Sequence, residues 1–210
     1  MSELITKPLA LAWAFVFVAV FVWSAWQPKD TAIWVLEVLP AVLAVILILA
    51  TYARFPLTGL LYFFILVHAV ILMIGGHYTY AEVPFFDGLF GMERNNYDKL
   101  GHFAQGFVPA LAAREILTRN RVVNGRIWTN VISVCICLAF SAFYELIEWW
   151  VALIGGDGSV AFLGTQGYVW DTQSDMWWAL IGASVAVILL SRFHNRQISE
   201  VEASGHVHTT

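Results

Sequence analysis

The chain has 210 residues, 60% of them hydrophobic and only 12% charged, with a formal net charge of −4 and a mean hydropathy of +0.72. That composition is far from the soluble average and matches an all-α, polytopic membrane bundle whose surface is built against lipid. Basic residues spread along the chain rather than gathered in a groove exclude nucleic acid as a partner. Cys135 and Cys137, two apart on one predicted helix, point to nearly opposite sides and so form neither a disulfide nor a joint metal pair.

Six apolar stretches fall at 9–26, 31–50, 57–75, 100–117, 128–153 and 176–192, each near the ~20 residues needed to cross a bilayer. They predict six spanning helices in a single integral domain over 1–193, the fourth being the least hydrophobic. The first follows a single Lys7 and lacks a small-residue cleavage pattern, so it is expected as a retained helix rather than a removed signal peptide. Short connections at 27–30 and 51–56 join the first three helices. These contain one acid at depth, Glu37, and read as scaffold.

A loop over 76–99, a basic turn over 118–127 and a glycine-rich loop over 154–174 frame the more polar second half. The segment 194–210 is polar, has too few apolar residues to fold by itself and is predicted to be a disordered cytoplasmic tail; its His206 and His208 are a weak, adventitious metal motif. Loops rich in Lys and Arg stay cytoplasmic. With both termini inside, that side collects Lys7, Arg54, Arg114, Arg119, Arg121, Arg126, Arg192 and Arg196 and leaves Lys29, Arg94 and Lys99 outside, eight against three.

On the fifth stretch Asn130, Ser133, Cys137, Ser141, Glu145 and Glu148 follow steps of three or four and share one helical face, which therefore cannot face lipid. On the fourth, Asp98, His102, Gly106 and Ala110 share a face, and on the sixth Asp175, Ala179, Gly182 and Ala186 do. Each has a polar head and a small-residue stem that lets another backbone approach closely. Packed beside the polar face of the fifth helix, these heads meet at the outer end. Asp171, four residues before Asp175, and His77, just after the third helix, can reach the same place.

Ionisable groups at membrane depth cost roughly 2.5 to 3.5 kcal/mol each on the insertion scale and persist because they have partners or a job. Clustered carboxylates cannot all be ionised in a partly dry pocket without a compensating cation or protons. A divalent metal ion is the economical answer, with His77, Asp98, His102, Asp171 and Asp175 as candidate ligands and Glu145 and Glu148 as candidate catalytic bases. The spacing matches neither His-Glu-x-x-His nor the Glu-x-x-His of di-iron bundles.

Structural readings stand beside this one. Thr172-x-x-Asp175 is a capping-box pattern, Asp98 suits the positive end of a helix, and Arg94 or Lys99 can neutralise one acid each. His68 reads as a hydrogen-bonded interior residue. Tyr97, Tyr144, Trp149, Trp150, Trp170, Trp177 and Trp178 form the aromatic belt expected at an interface, against which a lipid headgroup or isoprenoid would also rest.

The segments Asn96 to Phe103, Ser141 to Trp149 and Trp170 to Met176 resemble the YjdF-type family of bacterial inner-membrane proteins, from His77 to Arg196 closely and over the first two helices loosely. That family is of unknown function, so the resemblance implies membrane location and fold. The Asp98-Lys99-x-x-His102-Phe103 start of a helix, followed by an acidic helix and an Asp-bearing one, is also similar to VanZ-like proteins. These are associated with envelope and glycopeptide-resistance phenotypes, which implies a role at the cell envelope; Glu145 and Glu148 depart from the spacing of that pattern.

The leading expectation is a multi-pass protein of the bacterial inner membrane, both termini cytoplasmic, whose outer carboxylate and histidine cluster binds a divalent metal and hydrolyses or transfers a group of an envelope or lipid-linked substrate. A proton- or cation-coupled transporter and a structural scaffold remain as alternatives. The polar face from Glu148 to Asn130 favours transport, and the absence of paired interrupted helices counts against it.

Overall fold

The structure is a computed structural model that describes residues 6–86, 94–155 and 168–206. Those residues form six helices and no strand: α1 Lys7–Ala25, α2 Thr31–Thr51, α3 Gly59–His77, α4 Tyr97–Arg119, α5 Arg126–Gly155 and α6 Asp171–His206. All but α4 are long and apolar enough to cross a membrane. The predicted loops over 76–99 and 154–174 lie partly outside the described residues, as does His208.

Local chemistry sets several helix starts. Pro8 opens α1, where its missing N–H costs nothing. Asp30 caps α2, its carboxylate accepting from the N–H of Ala32 at 2.8 Å and Ile33 at 2.9 Å. The Thr58 hydroxyl accepts from the Leu61 N–H at the start of α3.

The low hydropathy of α4 has a packing explanation. Its 23 residues span about 34 Å, and it packs against α3, α5 and, most extensively, α6. With its polar side chains turned into protein, it needs no continuous apolar surface for lipid. The contact with α6 is backbone on backbone: a Cβ on Gly106 would overlap the carbonyl of Ala179, and one on Gly182 would overlap that of Phe103. The small-residue stems thus let two helix axes approach as far as their carbonyls permit.

Below this crossing Leu61, Val108, Leu111, Cys137, Ala183 and Val187 form an apolar core between α3, α4, α5 and α6. A second core, around Val38, Ala41, Ala69 and Met73, attaches α1 and α2 to α3. The remaining faces of α1 and α2 carry exposed Leu11, Phe15, Val35 and Leu47, as a lipid-facing surface requires.

Two expectations are corrected. The segment from 194 is helical to His206 rather than disordered, because His194, Ile198 and Val201 are buried and continue the inward face of α6 at helical spacing. Gln197 adds a bond from this extension, its Oε1 accepting from the Leu60 N–H at 2.9 Å. Thr172 is not an N-cap either, since α6 already begins at Asp171, with the Asp171 and Ser174 N–H groups bonded to the carbonyls of Tyr168 and Trp170.

Candidate functional site

Antiparallel connections bring the starts of α2, α4 and α6 and the ends of α1, α3 and α5 to one end of the bundle, here the acid end. Asp98 and His102, one turn apart on α4, place the His102 Nε2 3.2 Å from Asp98 Oδ1. From α6, Asp175 Oδ2 lies 3.8 Å from the same nitrogen. From α5, Glu145 Oε1 lies 4.0 Å from His102 Nδ1. Asp98, His102 and Asp175 each offer a ligand atom, all within 4.8 Å of one another, and His102, Glu145 and Glu148 form a second such set.

His102 is oriented from behind. Its Nδ1 is 2.8 Å from Gln105 Oε1, an acceptor, so Nδ1 carries the proton and donates. In the neutral ring Nε2 then presents a lone pair to Asp98 and Asp175. This is how metal-ligating histidines are commonly held.

Six carboxylates gather here: Glu37, Asp98, Glu145, Glu148, Asp171 and Asp175. Arg94 compensates two of them, its Nη1 donating to Asp171 Oδ1 at 2.5 Å and its Nη2 to Asp98 Oδ2 at 3.3 Å. Asp171 is therefore a clasp between the starts of α4 and α6. Glu145 and Glu148 are buried, and Glu145 Oε1 and Asp175 Oδ1 have no hydrogen-bond partner among the described residues. Buried oxygens without a donor are costly unless a cation or proton joins them.

A cavity of about 80 Å³ runs inward from the cluster, lined by Glu37, His68, Tyr80, His102, Tyr144 and Glu148 among others. Glu37 thus belongs to the site and not to a scaffold, and its Oε2 accepts from the Tyr144 hydroxyl at 3.3 Å. The signal was present in the sequence as an acid inside an apolar run. His68 is also placed differently from its reading as a hydrogen-bonded interior residue: it lines the cavity and its Nε2 has no partner among the described residues. Tyr80 arrives from the loop after α3 through left-handed backbone at Thr79 and Tyr80, with φ of 58° and 56°. Burial, reinforced by nearby Glu37, pushes its phenol well above the ordinary tyrosine range, so it remains a donor.

His77 is placed elsewhere. Its Nδ1 is 2.9 Å from the Ser24 carbonyl and its ring stacks on Trp23 at 4.7 Å, which ties α3 to α1. The polar face of α5 is interrupted as well. Ser133 donates to the Thr129 carbonyl, Cys137 sits in the apolar core, and only Ser141, Glu145 and Glu148 adjoin the acid end.

The family model described as "Predicted membrane protein (DUF2238)" matches residues 9–196. The chain is 52% identical over 196 residues to "Inner membrane protein YjdF" of Escherichia coli (strain K12), covering 91% of this chain and 94% of that protein. No solved structure matches it. By the extent of the first match and the identity of the second, the chain belongs to the DUF2238 family of membrane proteins.

Proposed function

We propose that the acid end is a divalent-metal centre in an enzyme of the bacterial inner membrane, which hydrolyses or transfers a group of an envelope or lipid-linked substrate. The name of the Escherichia coli relative and the excess of Lys and Arg at the opposite end of the helices support that membrane and an orientation with the acid end outward.

One observation carries the reading. With Nδ1 committed to Gln105, the lone pair of a neutral His102 at Nε2 points between oxygens of Asp98 and Asp175, an arrangement that repels itself until a metal cation or a proton occupies it. Imidazole with two carboxylates suits zinc, manganese or iron. A metal held there would polarise a phosphoryl or carbonyl oxygen and lower the pKa of a bound water. Glu145 and Glu148 approach from the other side of His102 and would accept that proton.

The apolar core below Gly106 supports an enzyme over a carrier. Leu61, Val108, Leu111 and Cys137 separate the cavity from the opposite end, whereas transport needs polar groups across that depth.

The test is metal content by elemental mass spectrometry on the detergent-purified full chain, beside a His102→Ala, Asp175→Ala double variant. A near-stoichiometric metal in the parent and none in the variant is expected. No metal after reconstitution with zinc, manganese or iron overturns the proposal and leaves protons as the balancing charge. Glu148→Gln should retain the metal and lose turnover of polyprenyl phosphate or pyrophosphate probes.

A further inference from the structure

The opposite end of the bundle holds a second buried polar cluster, centred on consecutive residues of α4. Glu115 is fully buried and saturated. Its Oε1 accepts from the Thr58 N–H at 3.0 Å and from Arg119 Nη1 at 2.9 Å, and its Oε2 accepts from the Thr58 hydroxyl at 2.8 Å. His194 Nε2 is 3.0 Å from the same Oε2. Arg119 is held in turn by the Pro56 carbonyl at 2.6 Å and by the Phe55 ring, so Glu115 and Arg119 neutralise one another.

Arg114, the neighbouring residue, has no such partner. It is 1% exposed, and its contacts are neutral: Nε donates to Asn130 Oδ1 at 2.7 Å, Nη2 to Asn195 Oδ1 at 2.7 Å, and Nη1 faces His194 Nδ1 at 3.3 Å. Since His194 Nδ1 accepts from a guanidinium, the imidazole proton sits on Nε2, bonded to Glu115, and the ring is neutral. Ion pairs among the described residues engage Lys29, Arg94, Arg119, His102 and His194, and none engages Arg114. Among the described residues the cluster therefore keeps one buried positive charge without a counter-charge, a costly arrangement unless an anion completes it.

Of the five guanidinium N–H groups, three are taken up by these contacts, which leaves two. Arg114 lines a cavity of about 300 Å³ together with Arg121, Arg126, Thr118, Asn124 and Thr129. No acidic residue lines it, and neither Arg121 nor Arg126 takes part in the ion pairs above. The cavity also meets the start of α5, whose first turn carries no acid and whose positive end favours an anion. Three guanidiniums, the Thr118 hydroxyl and a helix start converging on one space form the donor set that a phosphate group takes; the Thr129 hydroxyl is spent on the Gly125 carbonyl at 3.1 Å.

We infer that this cavity binds a phosphate group, with Arg114 as its buried floor and Arg121 and Arg126 as its rim. An anionic phosphate group is the chemistry shared by a phospholipid headgroup and by a soluble phosphorylated ligand. The site is independent of the acid end and of any metal there.

The test uses the full chain in mild detergent, with its melting temperature followed in two arms: inorganic phosphate against chloride at equal ionic strength, and reconstitution into phosphatidylcholine vesicles with and without phosphatidic acid. Stabilisation in the first arm identifies a soluble phosphate ligand, and stabilisation in the second alone identifies a lipid headgroup; either supports the site. The Arg121→Gln, Arg126→Gln double variant should melt like the parent without ligand and bind at least about tenfold more weakly per guanidinium removed. Arg114→Gln should abolish binding, and should it fail to fold, the double variant decides the matter. No stabilisation in either arm, or stabilisation undiminished in the double variant, overturns the inference.

Discussion

Gln105 stands one turn beyond His102 on α4 and its Oε1 accepts a hydrogen bond from His102 Nδ1 at 2.8 Å, so the nitrogen that remains faces Asp98 and Asp175. A side chain that is not itself a candidate ligand thereby decides which imidazole atom of His102 is available. Replacing Gln105 with Leu should leave the bundle folded and weaken metal affinity by about 10- to 100-fold, the usual cost of losing such a partner. Competition against a chromophoric chelator measures it. Affinity unchanged in Gln105→Leu would mean that His102 is not the ligand.

Arg94 joins the starts of α4 and α6 through Asp98 and Asp171. Its side chain is 13% exposed, so its loss leaves two largely desolvated carboxylates facing each other. Arg94→Gln should destabilise the protein by about 1 to 3 kcal/mol, read as a lower melting temperature in detergent. Adding Asp171→Asn should recover part of that loss. Arg94→Lys should fall between, because an ammonium cannot offer two forked donors.

The crossing of α4 and α6 admits no side chain at Gly106 or Gly182, because what each would meet is backbone. Gly106→Ala should cost about 1 to 3 kcal/mol or more. Since His102 lies one turn away on α4 and Asp175 two turns before Gly182 on α6, metal binding should weaken in parallel. Thermal unfolding and metal titration on the same sample check both. A variant that keeps full stability would show that the helices are not in backbone contact.

The helical extension after Phe193 makes its own forecast. Ile198 is 2% exposed, and Ile198→Ala should cost about 2 to 5 kcal/mol, whereas the same change in an unstructured tail would cost nothing. Amide hydrogen exchange should likewise find protection through Val201.

Hydropathy alone was sufficient for the number of helices, because a bilayer imposes a length and an apolar composition that are readable residue by residue, but it ended the sixth at 192 where α6 continues to His206. The 3.6-residue period also placed Asp98 with His102 and Glu145 with Glu148 on common faces. Periodicity, however, says which side of its own helix a residue occupies and nothing about how far that helix is rotated towards another. For that reason the sequence does not assign Glu37, His68 and Gln105 to the acid end, and it does assign His77, which bonds to the Ser24 carbonyl instead. The Arg114, Glu115 and His194 cluster is hidden in the sequence for a further reason: positively charged residues near a membrane face are expected there whatever they do, and only packing reveals that Arg114 is buried without a counter-charge among the described residues. Composition likewise made residues after Phe193 look unfoldable. Three buried side chains, His194, Ile198 and Val201, find partners only once α6 lies against α3 and α4, and it is those long-range contacts that keep the last turns helical.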